Sequence, residues 1–205
     1  MRQWFFKWRG ALMVPLAIII IILGKPTFTS YLIGIAIATV GELIRIWGVG
    51  YAGKTTRAQE VKAPFLVTAG PYAYVRNPLY LGNAVTGLGF VMMACLGMGS
   101  WKISLILWIL YLLFYITVYG TIIPLEEEFL KKTFGDTYTE YCREVPPVFP
   151  SFRPYGKQQG TFSWTPVMKG ESQTLIMFFL FSALMALKIP EIGAPLYSKF
   201  PWLQG

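Results

Sequence analysis

Two short motifs are the places where this chain could do chemistry. The first runs Gly70-Pro71-Tyr72-Ala73-Tyr74-Val75-Arg76-Asn77-Pro78-Leu79-Tyr80-Leu81-Gly82 into an apolar stretch; the second, about forty residues on, is Leu125-Glu126-Glu127-Glu128-Phe129-Leu130-Lys131-Lys132-Thr133-Phe134-Gly135. Proline at 78 suits the first turn of a helix and keeps Asn77 out of helical geometry. Arg76 is therefore held just before a helix N-terminus, where a guanidinium and free backbone N–H groups make a ready site for a carboxylate or phosphate. The plainer reading is that Arg76 is one more positive anchor at a membrane face. In the acidic run, Glu127 with Lys131 and Glu128 with Lys132 stand four apart, the favourable spacing for pairing along a helix, and Glu126 is left without a local partner. Acidic residues also suit the positive end of a helix beginning after Pro124, so a solvated helix start competes with a catalytic role for the three glutamates.

These motifs need elements that bring them to one place, and the composition supplies a membrane. Of 205 residues, 55% are hydrophobic and 14% charged, and the mean hydropathy is +0.51, which excludes disorder and an ordinary soluble domain. Five apolar segments stand out, at 11–23, 31–51, 80–98, 101–123 and 175–189; the middle three have about the 20 residues needed to cross a bilayer core, and the outer two are short. The basic run before residue 11 lacks a small-residue cleavage site, so this first segment reads as a membrane helix and not a signal peptide. The fold class expected is all-α, a polytopic integral membrane protein of about five transmembrane helices plus an amphipathic helix at the cytoplasmic face. That amphipathic helix carries Leu130, Phe134, Tyr138, Tyr141 and Val145 on one stripe, with Gly135 as a local break. The prolines between Val145 and Pro154 then make a rigid, extended return, and 156–170 reads as a polar connector with Trp164 as an interfacial anchor. With the N-terminus cytoplasmic, 13 basic residues fall on that side and only Lys25, Lys102, Lys188 and Lys199 on the other, which orients both motifs toward the cytoplasm. Glu42 and Arg45, three apart within the second segment, can pair on one face, as a structural ion pair or as the lining of a substrate cavity.

Other chemistries lack their residues. The chain has no histidine and two cysteines, Cys95 and Cys142, without ligand or redox spacing, so no metal site is expected. Its 18 basic residues against 10 acidic ones are scattered beside apolar segments and form no basic domain, so no nucleic-acid partner is expected. No glycine-rich phosphate loop follows a strand.

The run Leu66 to Gly82, joined to Glu126-Glu127-x-x-Leu130-x-x-x-Phe134-Gly135-x-x-Tyr138-x-x-Tyr141-x-x-x-Val145-Pro146, resembles the cofactor-binding half of the isoprenylcysteine carboxyl methyltransferase and phospholipid methyltransferase superfamily. The resemblance spans about residues 66–150. It implies a methyltransferase-like core over 66–155, which leaves the N-terminal membrane helices over 1–65 and a connector with a last membrane helix over 156–205, both read from hydropathy. It also implies an S-adenosylmethionine pocket at the cytoplasmic face, with Tyr74, Asn77, Pro78, Tyr80, Leu81, Gly82, Glu127, Tyr138, Tyr141, Val145 and Pro146 holding the cofactor. Arg76, Glu126 and Glu127 are the implied catalytic residues. The methyl acceptor would be a lipid or lipid-modified molecule reached from the bilayer, in what the resemblance implies is a bacterial or archaeal inner membrane. The isoprenylcysteine enzymes typically have Arg-His-Pro where this chain has Arg76-Asn77-Pro78, so no role there can depend on a titrating histidine.

A carboxylate acceptor is already ionised at pH 7 and needs no base; Arg76 would orient it, and Glu126 or Glu127 would bind the cofactor's ammonium or ribose hydroxyls. An amine acceptor must lose a proton, and one of those glutamates would then be the base. Two rivals share the pattern. Tyr141-Cys142-Arg143-Glu144-Val145-Pro146 also resembles the NADPH-dependent membrane sterol and ene reductases, and a non-catalytic membrane scaffold could keep the fold without a cofactor.

Overall fold

The structure is a computed structural model that describes residues 2–53 and 65–199. All regular elements among these residues are helical: α1 (Arg2–Leu23), α2 (Phe28–Ala52), a 3-10 turn (Gly70–Ala73), α3 (Pro78–Cys95), α4 (Trp101–Glu144), α5 (Trp164–Gly170), α6 (Ser172–Leu187) and α7 (Pro190–Lys199). The five expected apolar segments fall on α1, α2, α3, the first half of α4, and α6. By length and hydropathy α2, α3 and α4 are long enough to cross a membrane; α5 with α6, bent by 58°, makes a fourth if counted as one span, and α1 offers the shorter apolar run Leu12–Leu23. Lys54, Arg57 and Lys62, counted above among the cytoplasmic charges, lie outside the described residues.

Local chemistry sets the ends. Thr27 and Ser30 cap α2 reciprocally, each side chain accepting from the other's backbone N–H, and Gly53 stops it at φ 75°, where a side chain would be strained. Pro78 opens α3 at its first turn, as its ring predicts. α2 and α3 then lie closer than side chains ordinarily allow, because small residues face each other along the seam. A Cβ added at Gly41 would sit 2.4 Å from the Thr86 backbone nitrogen, and one at Gly89 2.5 Å from that of Ala38. Such close backbone approach is how membrane helices gain packing without a hydrophobic driving force.

α4 departs from expectation. The sequence places a division between a membrane helix and a surface helix at Pro124; instead the helix runs through it without a break from Trp101 as far as Gly135, about 50 Å at 1.5 Å per residue. A proline there removes one hydrogen bond and crowds the carbonyl four residues back, which belongs to Gly120, a residue with open space around it. The true break is Gly135, at φ 55° and ψ −124°. It turns residues 136–144 so that Tyr138 and Tyr141 pack with Leu66, Ala73, Val145 and Tyr155 in a small core of their own. The connector is also more ordered than the sequence suggests: Ser163 caps α5, and Trp164 is its first residue.

Candidate functional site

Arg76 is the centre of the polar cluster at the motif end of the bundle. Its Nε and Nη2 donate to the two carboxylate oxygens of Glu127 at 2.9 and 3.2 Å, the two-pronged geometry that only arginine offers. Its Nη1 donates to the carbonyls of Cys142 at 3.1 Å and Val145 at 2.7 Å, which are orphan acceptors of the end of α4. The Asn77 amide adds bonds to Glu127 at 3.3 Å and to the Pro147 carbonyl at 3.0 Å. One arginine thus joins the entry of α3, the middle of α4 and the tail after it. The meeting of opposite charges expected from the sequence is real, but Glu127 reaches across to Arg76 and not along its helix to Lys131. Glu128 does pair with Lys132, at 2.6 Å and well exposed.

Backbone bonds stitch the tail over the first motif. Arg76 N–H donates to the Pro146 carbonyl, Ser151 N–H to that of Tyr74 and Tyr155 N–H to that of Ala73, at 2.9, 2.8 and 2.8 Å. The Tyr141 hydroxyl donates to the Tyr72 carbonyl at 2.6 Å. The Tyr138 hydroxyl is different: the residue is 2% exposed, and its oxygen has no hydrogen bond of normal length, with only the Cys142 thiol beside it as a weak partner, a state that buried hydroxyls rarely keep. Burial first, then the nearby Glu127 charge, pushes the Tyr138 phenol up, and burial does the same for Tyr141, so both stay neutral donors. Burial likewise raises the Cys142 thiol, with Arg76 opposing, which keeps it from acting as a thiolate nucleophile. For Arg76 itself burial works against the charge, and the hydrogen bonds and charge of Glu127 outweigh it and raise its pKa.

Glu126, expected to lack a local partner, accepts from the Tyr80 hydroxyl at 2.6 Å. Tyr80 packs on Tyr119 with ring centroids 4.8 Å apart, and the Tyr119 hydroxyl accepts from Asn83 Nδ2 at 2.9 Å. Asn83 in turn accepts from Arg45 Nη1 through its Oδ1. Arg45 approaches Glu42 at 3.8 Å, the pair expected from spacing, but its closer partner is Glu171 at 2.8 Å. Glu171 sits at the bend between α5 and α6 and carried no sequence signal at all. Of the expected cofactor residues, Tyr74, Asn77, Tyr138, Tyr141, Val145 and Pro146 gather around Arg76 and Glu127, and Pro78 is buried beside them as the first residue of α3. Tyr80 lies with Glu126. Leu81 belongs to the first turn of α3, and Gly82 faces α2, where a Cβ would meet Arg45 Cγ at 2.5 Å.

Residues 32–132 match the model of the Isoprenylcysteine carboxyl methyltransferase (ICMT) family. The chain is 30% identical over 160 residues to the Cobalt-zinc-cadmium resistance protein CzcN of Cupriavidus metallidurans, covering 78% of this chain and 59% of the relative. It is 31% identical over 122 residues to a Probable protein-S-isoprenylcysteine O-methyltransferase of Oryza sativa subsp. indica, covering 58% and 59%. To the Protein-S-isoprenylcysteine O-methyltransferase of Schizosaccharomyces pombe it is 31% identical over 115 residues, covering 54% and 45%. The chain therefore spans about three fifths or less of the length of these relatives. No solved structure matches it.

Proposed function

From its membership of the isoprenylcysteine carboxyl methyltransferase-like superfamily of membrane proteins, we propose that this chain is an S-adenosylmethionine-dependent methyltransferase. It acts on a membrane-embedded lipid or prenylated acceptor, carboxylate or amine, at the cytoplasmic face. The observation that carries the reading is the Tyr138 hydroxyl: a buried donor with no hydrogen bond of normal length and only the weakly accepting Cys142 thiol at hand, set beside the Arg76–Glu127 pair in a core of aromatic side chains. A polar ligand with an apolar body is what such a position fits.

When bound, S-adenosylmethionine supplies an electrophilic methyl group on a sulfonium. The residues around it work by binding and positioning. Tyr138 would donate from its hydroxyl; Tyr74, Tyr141 and the Val145-Pro146 turn would form the apolar wall; and Glu127, its side chain 24% exposed, would hold a cationic or hydroxyl group of the cofactor. Arg76 fixes the Glu127 carboxylate and ties down the tail, so it positions the pocket. Glu126, which accepts from the Tyr80 hydroxyl, would be the base where the acceptor is an amine. Methyl transfer is an in-line displacement whose rate depends on alignment, so rigid placement of these groups is the protein's main contribution.

The test is a binding titration of the purified chain with S-adenosylhomocysteine and, separately, with NADPH. Binding of S-adenosylhomocysteine that weakens in Tyr138→Phe supports the reading. NADPH binding with no S-adenosylhomocysteine binding replaces it with a reductase, and binding of neither leaves a scaffold.

A further inference from the structure

Two glutamates share one arginine inside the membrane-spanning part of the bundle, and one of them is left over. Glu42 is 4% exposed and lies ten residues before the end of α2 at Ala52, about 15 Å along the helix axis. Arg45 Nη2 donates to Glu171 at 2.8 Å and Nη1 to Asn83. The approach of Glu42 to the Arg45 Nε, 3.8 Å, is beyond hydrogen-bond range. Both Glu42 oxygens and the Arg45 Nε are buried without a hydrogen-bond partner. An ionisable side chain at membrane depth is costly, and one stripped of hydrogen bonds is costlier still unless something completes it.

Charge decides the sign of what completes it. Glu42 and Glu171 together outnumber Arg45, and the line through Asn83, Tyr119 and Tyr80 ends on a further carboxylate, Glu126. An incoming carboxylate would meet two like charges, with the single arginine already shared between Glu171 and Glu42. An incoming ammonium would find the Glu42 carboxylate, which makes no hydrogen bond and faces Arg45 only at 3.8 Å, and the Thr174 hydroxyl beside the Arg45 guanidinium. Thr174 is only partly buried, so the cluster opens beside α6.

We propose that Glu42, backed by Glu171, Asn83 and Thr174, binds the protonated amine head of a lipid-like molecule with an apolar tail. Resting on the methyltransferase reading, this narrows the acceptor from carboxylate or amine to amine. The single-charge surplus that selects an ammonium comes from Glu171, which the fold brings to Arg45 from 126 residues away.

The experiment compares three probes with one tail and different heads, tritiated oleylamine, oleyl alcohol and oleic acid, for retention by the purified full-length protein in uncharged detergent micelles. Oleylamine should bind at least about tenfold more tightly than oleyl alcohol, as for a charge-assisted contact, and that advantage should vanish in Glu42→Gln and persist in Glu128→Gln. The formal net charge of +8 draws oleic acid nonspecifically, so a preference for the amine must be local. Oleic acid binding as well as oleylamine, or unchanged amine binding in Glu42→Gln, overturns the proposal. If Glu42→Gln does not fold, the ranking of the three heads on the unaltered protein decides alone. A parallel S-adenosylhomocysteine titration separates the two ideas: amine binding without it keeps this site and removes the methyltransferase reading, and the reverse keeps the reading and removes this site.

Discussion

Replacing Arg76 by lysine keeps the charge and removes the geometry. Arginine at 76 makes four side-chain bonds, two to Glu127 and two to the carbonyls of Cys142 and Val145. A lysine ammonium is a single point at the end of a flexible stem, so it can face the carboxylate or the carbonyls but not both. At least two bonds are lost. A hydrogen bond to a charged group contributes roughly 1.5–3 kcal/mol, and the Arg76 and Glu127 side chains are 12% and 24% exposed, so water replaces part of what is lost. A net loss of about 2 kcal/mol follows, or roughly thirtyfold in an equilibrium constant. Because Arg76 ties the tail over the first motif, the loss should appear in two assays at once. S-adenosylhomocysteine affinity should fall by about that factor. Amide exchange at Val145, Ser151 and Tyr155, whose N–H groups bond to Tyr141, Tyr74 and Ala73, should accelerate comparably, as for a local opening. Glu128→Gln is the control, since its partner Lys132 is 75% exposed. Unchanged exchange together with unchanged affinity in Arg76→Lys would show that the latch does not position the pocket.

Tyr138→Phe removes a hydroxyl that is buried with only the weakly accepting Cys142 thiol beside it, so the free protein should melt at the same or a higher temperature while S-adenosylhomocysteine binds about tenfold less tightly; lower stability with unchanged affinity would assign the hydroxyl to the fold. Tyr80→Phe removes the 2.6 Å bond and Glu126→Gln strips it of its charge, and a double-mutant cycle on methyl-transfer rate should show them non-additive by about 1 kcal/mol or more; full additivity would separate them. Gly41→Val drives a side chain onto the Thr86 backbone and should lower stability in detergent by about 1–3 kcal/mol, whereas Gly99→Ala, with nothing within 4 Å of the added carbon, should leave it unchanged. Equal melting temperatures for the two glycine variants would mean that the seam between α2 and α3 is not held by close packing.

The helices were legible because hydropathy is local: an apolar run of about 20 residues declares a membrane helix whatever it packs against. Pro78 opening α3 and Gly135 breaking α4 were legible for the same reason, since ring closure and a missing Cβ act on their own residue. Pro124 misled because its cost depends on the neighbour four residues back. That neighbour is a glycine in open space, so the helix continued. The choice of ion-pair partner was less legible. Four-residue spacing offers Lys131 to Glu127 for a few tenths of a kcal/mol on a solvated face, and a two-pronged, largely buried arginine outbids it once the fold brings Arg76 within reach.

Least legible of all was the cluster around Arg45. Spacing within α2 proposed Glu42 as its partner, and the structure gives the better bonds to Glu171 and Asn83 on other helices. A helix fixes its i,i+3 pairs without reference to anything else, but an arginine in the membrane takes the carboxylate with the better geometry, and the 58° bend between α5 and α6 is what presents Glu171. The residue displaced by that choice is Glu42. Sequence could name it as polar and buried, and only the fold could show that it keeps Arg45 at 3.8 Å without a hydrogen bond. The same logic runs through the site: local rules identified which groups are charged, whereas the tertiary competition among them decides which remain available to a ligand. Among the described residues Tyr138, Glu42 and the Arg45 Nε facing it are the unsatisfied groups of that competition, the first near the Arg76–Glu127 latch and the other two within the helix seam, and a donor and an acceptor molecule meeting at this end of the bundle would need one such place each.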